Sequence, residues 1–129
     1  MLAKTTNQIR VLLLDDEPIV AERVKSSLEM SGYYVDSFIS SNDAIDNLKK
    51  VKYDILITDL KMSSPDGIEV LQIARELQPD IKAIVITGFA TRQTAETVMN
   101  KGAVEFLAKP FKLSQLKKIL SVIVRAEDK

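Results

Sequence analysis

The sequence contains no cysteine and no histidine among its 129 residues. Without cysteine, disulfide bonds, thiolate nucleophiles and zinc-finger sites are excluded. Without histidine, the chain lacks the commonest general base and the commonest transition-metal ligand. Any chemistry at a site must therefore use carboxylates, lysines or hydroxyls.

The chain also lacks net charge and long apolar runs. Eighteen basic residues balance eighteen acidic ones, whereas nucleic-acid and membrane surfaces usually carry excess positive charge. No apolar stretch approaches the length of about 20 residues that spans a bilayer. The segment before the first apolar run is short and polar, unlike a signal peptide. We therefore expect a cytoplasmic protein that binds neither nucleic acid nor membrane.

Short β-rich runs alternate five times with longer helical patterns. The expected strands cover residues 10–14, 34–39, 54–58, 82–86 and 103–107. Capping residues and prolines predict helices that start near Pro18, at Ser40 or Ser41, at Ser64 and Pro65, at Thr91 and at Leu113. The third helix should bury a stripe of Ile68, Leu71, Ala74 and Leu77, and the fifth should end near residue 124 and bury Leu116, Ile119, Leu120 and Ile123.

Nearly continuous apolar strands are typical of a parallel sheet covered by helices on both faces. Right-handed crossovers then favour a doubly wound α/β fold with three layers. For five strands we predict the flavodoxin-like order 2-1-3-4-5. We expect residues 1–129 to form one domain, with a core at about 9–124 and a tail or truncated linker at 125–129.

Four of the predicted strands lead into polar residues at the same end. Strand 1 precedes Asp15 and Asp16, strand 3 precedes Asp59, strand 4 precedes Thr87 and strand 5 precedes Lys109. Because the carboxyl ends of parallel strands share one edge of the sheet, we expect these side chains to meet in one acidic pocket.

Crowded carboxylates repel one another and recruit a cation. Oxygen ligands without histidine or cysteine select a hard ion, and we predict Mg²⁺, with Mn²⁺ as the other candidate. Asp59 could attack phosphorus and form an acyl phosphate. Lys109 and the Thr87 hydroxyl would then contact the phosphoryl oxygens.

Taken singly, these residues have simpler explanations. Acids that precede a helix often cap it and complement its dipole, and for Glu17 we prefer that interpretation. A strand-end threonine usually bonds to backbone, a lysine is usually solvated, and Phe106 alone is a core residue. The common placement of all candidates at one end of the sheet favours the site.

The sequence resembles the receiver domain of bacterial two-component response regulators over residues 9–124. The motifs that carry the resemblance are Asp15-Asp16, Asp59, Asp66-Gly67, Thr87-Gly88 and Lys109-Pro110-Phe111. The resemblance implies a phosphoacceptor switch and not a turnover enzyme. Asp59 would receive a phosphoryl group from the phosphohistidine of a sensor kinase or a histidine phosphotransfer protein.

The resemblance also implies individual roles. Asp16 would bind the metal directly, Asp15 chiefly through water, and the main-chain carbonyl of Lys61 would be a third ligand. Thr87 and Lys109 would contact the phosphoryl group, and the Lys109–Pro110 bond would be cis.

On phosphorylation Thr87 would move inward and Phe106 would follow. The face of helix 4, strand 5 and helix 5 would then change shape. An effector domain or a second copy of the chain would bind that face.

The sequence departs from the family pattern at two places. Ser63 stands where many receivers have proline, and Pro65 is displaced towards helix 3, which leaves the loop carrying the Lys61 carbonyl undetermined. The switch aromatic is Phe106, which lacks the hydroxyl of a tyrosine. We also expect Lys61 and Phe89 either to shield a phosphorylated Asp59 from water or to point into solvent.

Three alternatives remain open at this point. A dehalogenase-like phosphatase also forms an aspartyl phosphate, but it needs an acid two positions after the nucleophile, where this chain has Lys61. A receiver fold used only for binding usually lacks an acidic or lysine ligand. A flavin or nucleotide carrier needs a phosphate loop after strand 1, where three acids here repel phosphate.

Overall fold

The computed structural model describes residues 9–62 and 64–127. The five strands are β1 (Arg10–Leu14), β2 (Tyr34–Phe38), β3 (Ile55–Asp59), β4 (Lys82–Thr87) and β5 (Glu105–Ala108). The five helices are α1 (Pro18–Met30), α2 (Ser41–Leu48), α3 (Gly67–Leu77), α4 (Arg92–Asn100) and α5 (Leu113–Glu127). All strand pairs are parallel, and the order β2-β1-β3-β4-β5 confirms the predicted flavodoxin-like topology.

The strands bury alternate side chains on opposite faces of the sheet, because successive side chains of a strand point in opposite directions. Leu12, Leu56 and Val85 pack with residues of α2 and α3 and with Val98 of α4. On the other face of the sheet, Leu13, Ile57 and Ile84 pack with residues of α1 and α5. Apolar burial on both faces explains why the strands read as continuous hydrophobic runs.

Helix α3 begins later than predicted. Asp66, not Ser64 or Pro65, is its N-cap: the Asp66 carboxylate accepts the Glu69 N–H, and the Glu69 carboxylate accepts the Asp66 N–H. This reciprocal pair satisfies two backbone donors, whereas a serine cap alone would satisfy only one of them. The buried stripe of α3 is also corrected, since Val70 is buried whereas Leu77 is 42% exposed.

Several other bounds differ by one to three residues. β3 and β4 each extend one residue further than predicted, so that Asp59 and Thr87 are the last residues of their strands. β5 begins at Glu105, and α5 continues through Glu127, past the predicted end near residue 124. In α5, Ile119 and Ile123 are half-buried, and Val124 joins Leu116 and Leu120 in the core. None of the helices formed by the described residues is long and apolar enough to cross a membrane.

Candidate functional site

The polar residues that follow the strands meet at the carboxyl edge of the sheet, as predicted. Asp15 follows β1 directly, Asp59 ends β3, Thr87 ends β4 and Lys109 follows β5. The Lys109 N–H donates to the Thr87 carbonyl over 2.8 Å, which fixes the end of β5 beside β4. Asp15, Asp59 and Thr87 are all buried, although they are polar. Such groups require partners, and the site supplies them.

The Lys109 ammonium connects three acids. Its Nζ lies 2.6 Å from Asp59 Oδ2, 3.0 Å from Asp15 Oδ2 and 3.2 Å from Glu17 Oε1. An ammonium has three donors, so these three carboxylates match its hydrogen-bonding capacity. Burial acts to lower the pKa of Lys109, but hydrogen bonds to Asp59 and Asp15 and their charges outweigh it and raise that pKa above its ordinary value. Lys109 therefore stays positively charged beside Asp59.

Backbone groups orient the two buried acids. The Glu17 N–H donates to Asp15 Oδ1 over 2.9 Å, and the Lys61 N–H donates to Asp59 Oδ1 over 3.0 Å. Burial raises the pKa of Asp15, although the backbone bond from Glu17 and the nearby Lys109 oppose the rise. The charged form of Asp15 is thus incompletely compensated by protein groups, as expected for a carboxylate that a cation would stabilise.

Four acids form a cluster that fits a divalent cation. Asp15, Asp16, Glu17 and Asp59 each place one carboxylate oxygen within 4.8 Å of the others. Only hard oxygen donors are present in this cluster, as Mg²⁺ and Ca²⁺ require. Asp16 and Glu17 are exposed, whereas Asp15 and Asp59 are buried. The cluster thus presents an accessible side to solvent.

A cavity of about 560 Å³ opens beside Asp59. It is lined by Asp16, Glu17, Asp59, Lys61, Met62, Gly88, Phe89 and Lys109. The Lys61 ammonium lies 4.5 Å from the centroid of the Phe89 ring, a cation–π contact between two residues of the cavity wall. The Lys61 and Phe89 side chains therefore contact each other, and the space beside Asp59 is large enough for a phosphoryl group.

The two predicted switch residues lie outside the cavity lining. Thr87 is fully buried, and its Oγ1 accepts the Phe89 N–H over 3.0 Å. Phe106 on β5 is half-buried and packs against the core beneath α2, α3 and α4. Thr87 therefore ends β4 directly before two residues of the cavity lining, Gly88 and Phe89, whereas Phe106 lies in the neighbouring strand β5.

Two site residues were missed from the sequence. Glu17 occupies the N-cap position of α1, but its side chain makes no capping hydrogen bond and contacts Lys109 instead, so the capping interpretation is corrected. The run of three acids Asp15-Asp16-Glu17 was the sequence feature that could have indicated Glu17 as a site residue. Met62, which is buried and lines the cavity, follows no pattern in the sequence.

The loop after β3 is described only in part. Ser63, the position of the expected family proline, lies outside the described residues. The Ser64–Pro65 bond is cis, and the Lys109–Pro110 bond is cis as the resemblance implied. The role of the Lys61 carbonyl stays a prediction.

The profile of the response regulator receiver domain matches residues 11–121. The response regulator receiver protein CpdR of Brucella abortus is 34% identical over 107 residues, which are 83% of this chain and 89% of that protein. Two further relatives, both transcriptional regulatory proteins, are longer: the chain covers 25% of one and 42% of the other.

Solved structures agree in fold. The beryllofluoride-activated NtrC4 receiver domain dimer is 30% identical, with a TM-score of 0.86 over 92% of this chain and 98% of that one. A response regulator from Burkholderia pseudomallei is 26% identical, with a TM-score of 0.83 over 92% of this chain and 70% of that one. That structure contains a phosphorylated aspartic acid, a calcium ion and citrate.

These matches do not favour the phosphatase, the binding-only module or the carrier. Profile, relatives and solved structures all agree with a receiver domain and with the observed strand order. The chain therefore belongs to the response regulator receiver domain family, the phosphoacceptor switches of two-component signalling.

Proposed function

We propose that Asp59 is the phosphoacceptor of this chain. The donor is the phosphohistidine of a sensor histidine kinase or of a histidine phosphotransfer protein. The observation that carries the proposal is the position of the Asp59 carboxylate. It ends β3 at the cavity beside Asp16 and Glu17, with Lys109 2.6 Å from Oδ2 and a backbone N–H 3.0 Å from Oδ1.

The transfer replaces one bond to phosphorus by another. An Asp59 oxygen forms the new P–O bond while the P–N bond of phosphohistidine breaks, and the imidazole leaves with the bonding electron pair. Lys109, freed from part of its contact with Asp59, offers its charge to a phosphoryl oxygen, and the Thr87 hydroxyl offers a hydrogen bond. The product is an acyl phosphate on Asp59, so the chain changes state and does not turn over substrate.

Mg²⁺ is the proposed metal, and Mn²⁺ is the alternative. Asp15, Asp16, Asp59 and the carbonyl of Lys61 would hold it, and Glu17 lies in the same cluster. When bound, the ion supplies positive charge for the phosphoryl oxygens. The protein's own part is to hold Asp59 through the Lys61 backbone N–H and to hold Lys109 through the bond from its backbone N–H to the Thr87 carbonyl.

The proposed output surface is the face of α4, β5 and α5. A groove of about 500 Å³ on this face is lined by Val104, Glu105, Leu107, Gln115, Lys118, Ile119, Val122 and Ile123. Val122 is 54% exposed and Val104 is 38% exposed, so apolar surface is available to an effector domain or a second copy. The solved dimer of the NtrC4 receiver domain supports the second copy. We place this activity in the cytoplasm, without direct binding to nucleic acid or membrane.

The test is the intact mass of the protein after incubation with acetyl phosphate and Mg²⁺. Wild type should gain one phosphoryl group, and the gain should disappear with a chelator or in Asp59→Asn. The matched control is Asp46→Asn on the exposed side of α2, which should gain the group like wild type. A gain in Asp59→Asn, or none in wild type with Mg²⁺, would overturn the proposal.

A further inference from the structure

Helix α4 is attached to the domain mainly near its carboxyl end. Val98 is the only buried residue among those of this helix, all of which the structure describes. Arg92 and Gln93 in the first turn are exposed, as are residues 88–91 before it. The amino end of α4 therefore has little buried surface, although it follows Thr87 by only a few residues.

The carboxyl end of α4 is fixed by the backbone that follows it. The Gly102 N–H donates to the Met99 carbonyl and the Ala103 N–H donates to the Val98 carbonyl, each over 3.0 Å. The Val104 N–H then donates to the Ala83 carbonyl over 2.8 Å. The turn between α4 and β5 is thereby connected to the end of the helix and to the neighbouring strand β4.

A side chain from α3 holds the same turn from the other side. Arg75 Nη1 donates to the Gly102 carbonyl over 2.9 Å, across 27 positions of sequence. A Cβ atom on Gly102 would lie 2.4 Å from Arg75 Nε, so the guanidinium is in direct contact with the glycine backbone. Gly102 also has φ of 103°, a left-handed conformation that glycine adopts without strain. The contact therefore needs both residues: Arg75 donates the hydrogen bond, and Gly102 leaves room for the guanidinium.

We propose that Arg75 is a positioning residue that clamps the carboxyl end of α4 to α3. Its bond to Gly102 is charge-assisted and partly buried, and such bonds are stronger than neutral ones. The amino end of α4 follows Thr87 by only a few residues, whereas the clamped end lies further along the sequence. A rearrangement that begins at Thr87 should therefore displace the amino end of the helix and pivot about Val98 and Gly102.

The clamp itself does not depend on phosphorylation, whereas the direction of the pivot rests on the proposed function. The clamp divides the face of α4, β5 and α5 into two parts. The part near Val98 and Val104 keeps its shape, and the part that includes the first turn of α4 changes. A partner that distinguishes the two states would thus bind across the first turn of α4.

Hydrogen exchange of backbone amides, measured on the whole chain, tests the proposal. Arg75→Met keeps an unbranched side-chain stem but removes the guanidinium and its hydrogen bond. In the unphosphorylated variant, amides 98–104 should exchange roughly tenfold faster or more, the effect of losing a bond to a charged donor, while the central strands are unchanged. The matched control is Lys101→Met, which removes the same charge from an exposed position next to Gly102 and should leave exchange unchanged.

Phosphorylated samples test the pivot. In wild type the change in exchange should be confined to residues 89–96, and in Arg75→Met it should extend through residue 104. Arg75→Lys, which keeps the charge and most of the stem, should behave between these two and serves if the methionine variant does not fold.

Unchanged exchange at 98–104 in Arg75→Met would overturn the clamp, and so would an equal increase throughout the sheet. If phosphorylation changes residues 98–104 of wild type as much as 89–96, the pivot is overturned. If the protein accepts no phosphoryl group, the unphosphorylated comparison still decides on the clamp.

Discussion

At the scale of the residue, the behaviour of each polar group follows from how its partners compensate burial. Lys109 is surrounded by acids and keeps its charge. Tyr53, by contrast, is held in its neutral form. Its hydroxyl donates to Asp36 Oδ2 and accepts from the Asn47 amide. A phenolate there would be buried beside a carboxylate.

Tyr53 should make the protein sensitive to alkaline pH. Burial, followed by the hydrogen bond and charge of Asp36, raises the pKa of Tyr53 above the ordinary value of 10.0. The unfolded chain then loses this proton at lower pH than the folded one, so stability is complete below pH 10 and falls as pH rises above it. In urea unfolding, Tyr53→Phe should be less stable than wild type at pH 8, and the difference should narrow at alkaline pH. A constant difference would contradict this account.

Lys61 and Phe89 should control how long the acyl phosphate survives. Their side chains contact each other on the cavity wall, where water must approach phosphorus. Lys61→Ala with Phe89→Ala should release phosphate several-fold faster than wild type, because both shielding groups are removed. The timed loss of the added mass measures this rate. Lys82→Ala, outside the cavity lining, is the control, and an unchanged rate in the double variant would show that neither residue shields the site.

At the scale of the element, the approach of α3 to the end of β3 requires a glycine. A Cβ on Gly67 would lie 2.4 Å from the Asp59 carbonyl oxygen and 2.5 Å from Leu60 Cα, both backbone atoms. The same added methyl on Gly88 would meet no atom within 4 Å. A side chain is therefore excluded at Gly67 but has room at Gly88, although both glycines lie near Asp59.

Gly67→Ala should therefore lower both stability and phosphorylation, since the start of α3 or the end of β3 must move. The expected loss is about 1–3 kcal/mol in free energy of unfolding, the usual cost of overpacking. Gly88→Ala is the matched control and should unfold like wild type. Urea unfolding measures the stability of the two variants, and intact mass after incubation with acetyl phosphate measures their phosphorylation. Equal stabilities of the two variants would contradict the close approach.

The elements also show what the sequence could and could not predict. Strand order and the convergence of Asp15, Asp59 and Lys109 were predictable, because apolar runs and parallel topology set both. The start of α3 was not, because Ser64 and Asp66 are both acceptable caps and only the reciprocal bond with Glu69 decides between them.

Contacts between distant side chains were the other limit. The Glu17–Lys109 pair and the Arg75–Gly102 bond join residues 92 and 27 positions apart. Local patterns carry no information on such pairs, since the packing of whole elements determines which long side chains can reach each other. Leu77 was misassigned to the core for a related reason: helical spacing gives the face, but not where the sheet beneath it ends.

At the scale of the whole molecule, four loops from one edge of the sheet build a site with more negative than positive charge. Asp15, Asp16, Glu17 and Asp59 outnumber the ammonium groups of Lys109 and Lys61, the two lysines that line the cavity. Like charges held together by the fold raise its free energy, and a bound cation lowers it. Metal binding and folding should therefore be coupled.

Mg²⁺ should stabilise the folded chain through this cluster. A concentration of 100 times the dissociation constant should add about 2.7 kcal/mol to the free energy of unfolding. Asp16→Asn should lose most of this increment, whereas Asp46→Asn should keep it. Urea unfolding with Mg²⁺ and with chelator gives the two values, and equal stabilisation of Asp16→Asn and wild type would place the ion elsewhere.

The most direct measurement of the central claim is the phosphorus NMR spectrum of the protein after reaction with acetyl phosphate. We predict one protein-bound acyl phosphate resonance that requires Mg²⁺, disappears on treatment with hydroxylamine and is absent from Asp59→Asn. A resonance that persists in Asp59→Asn, or that resists hydroxylamine as a phosphate ester does, would contradict the account.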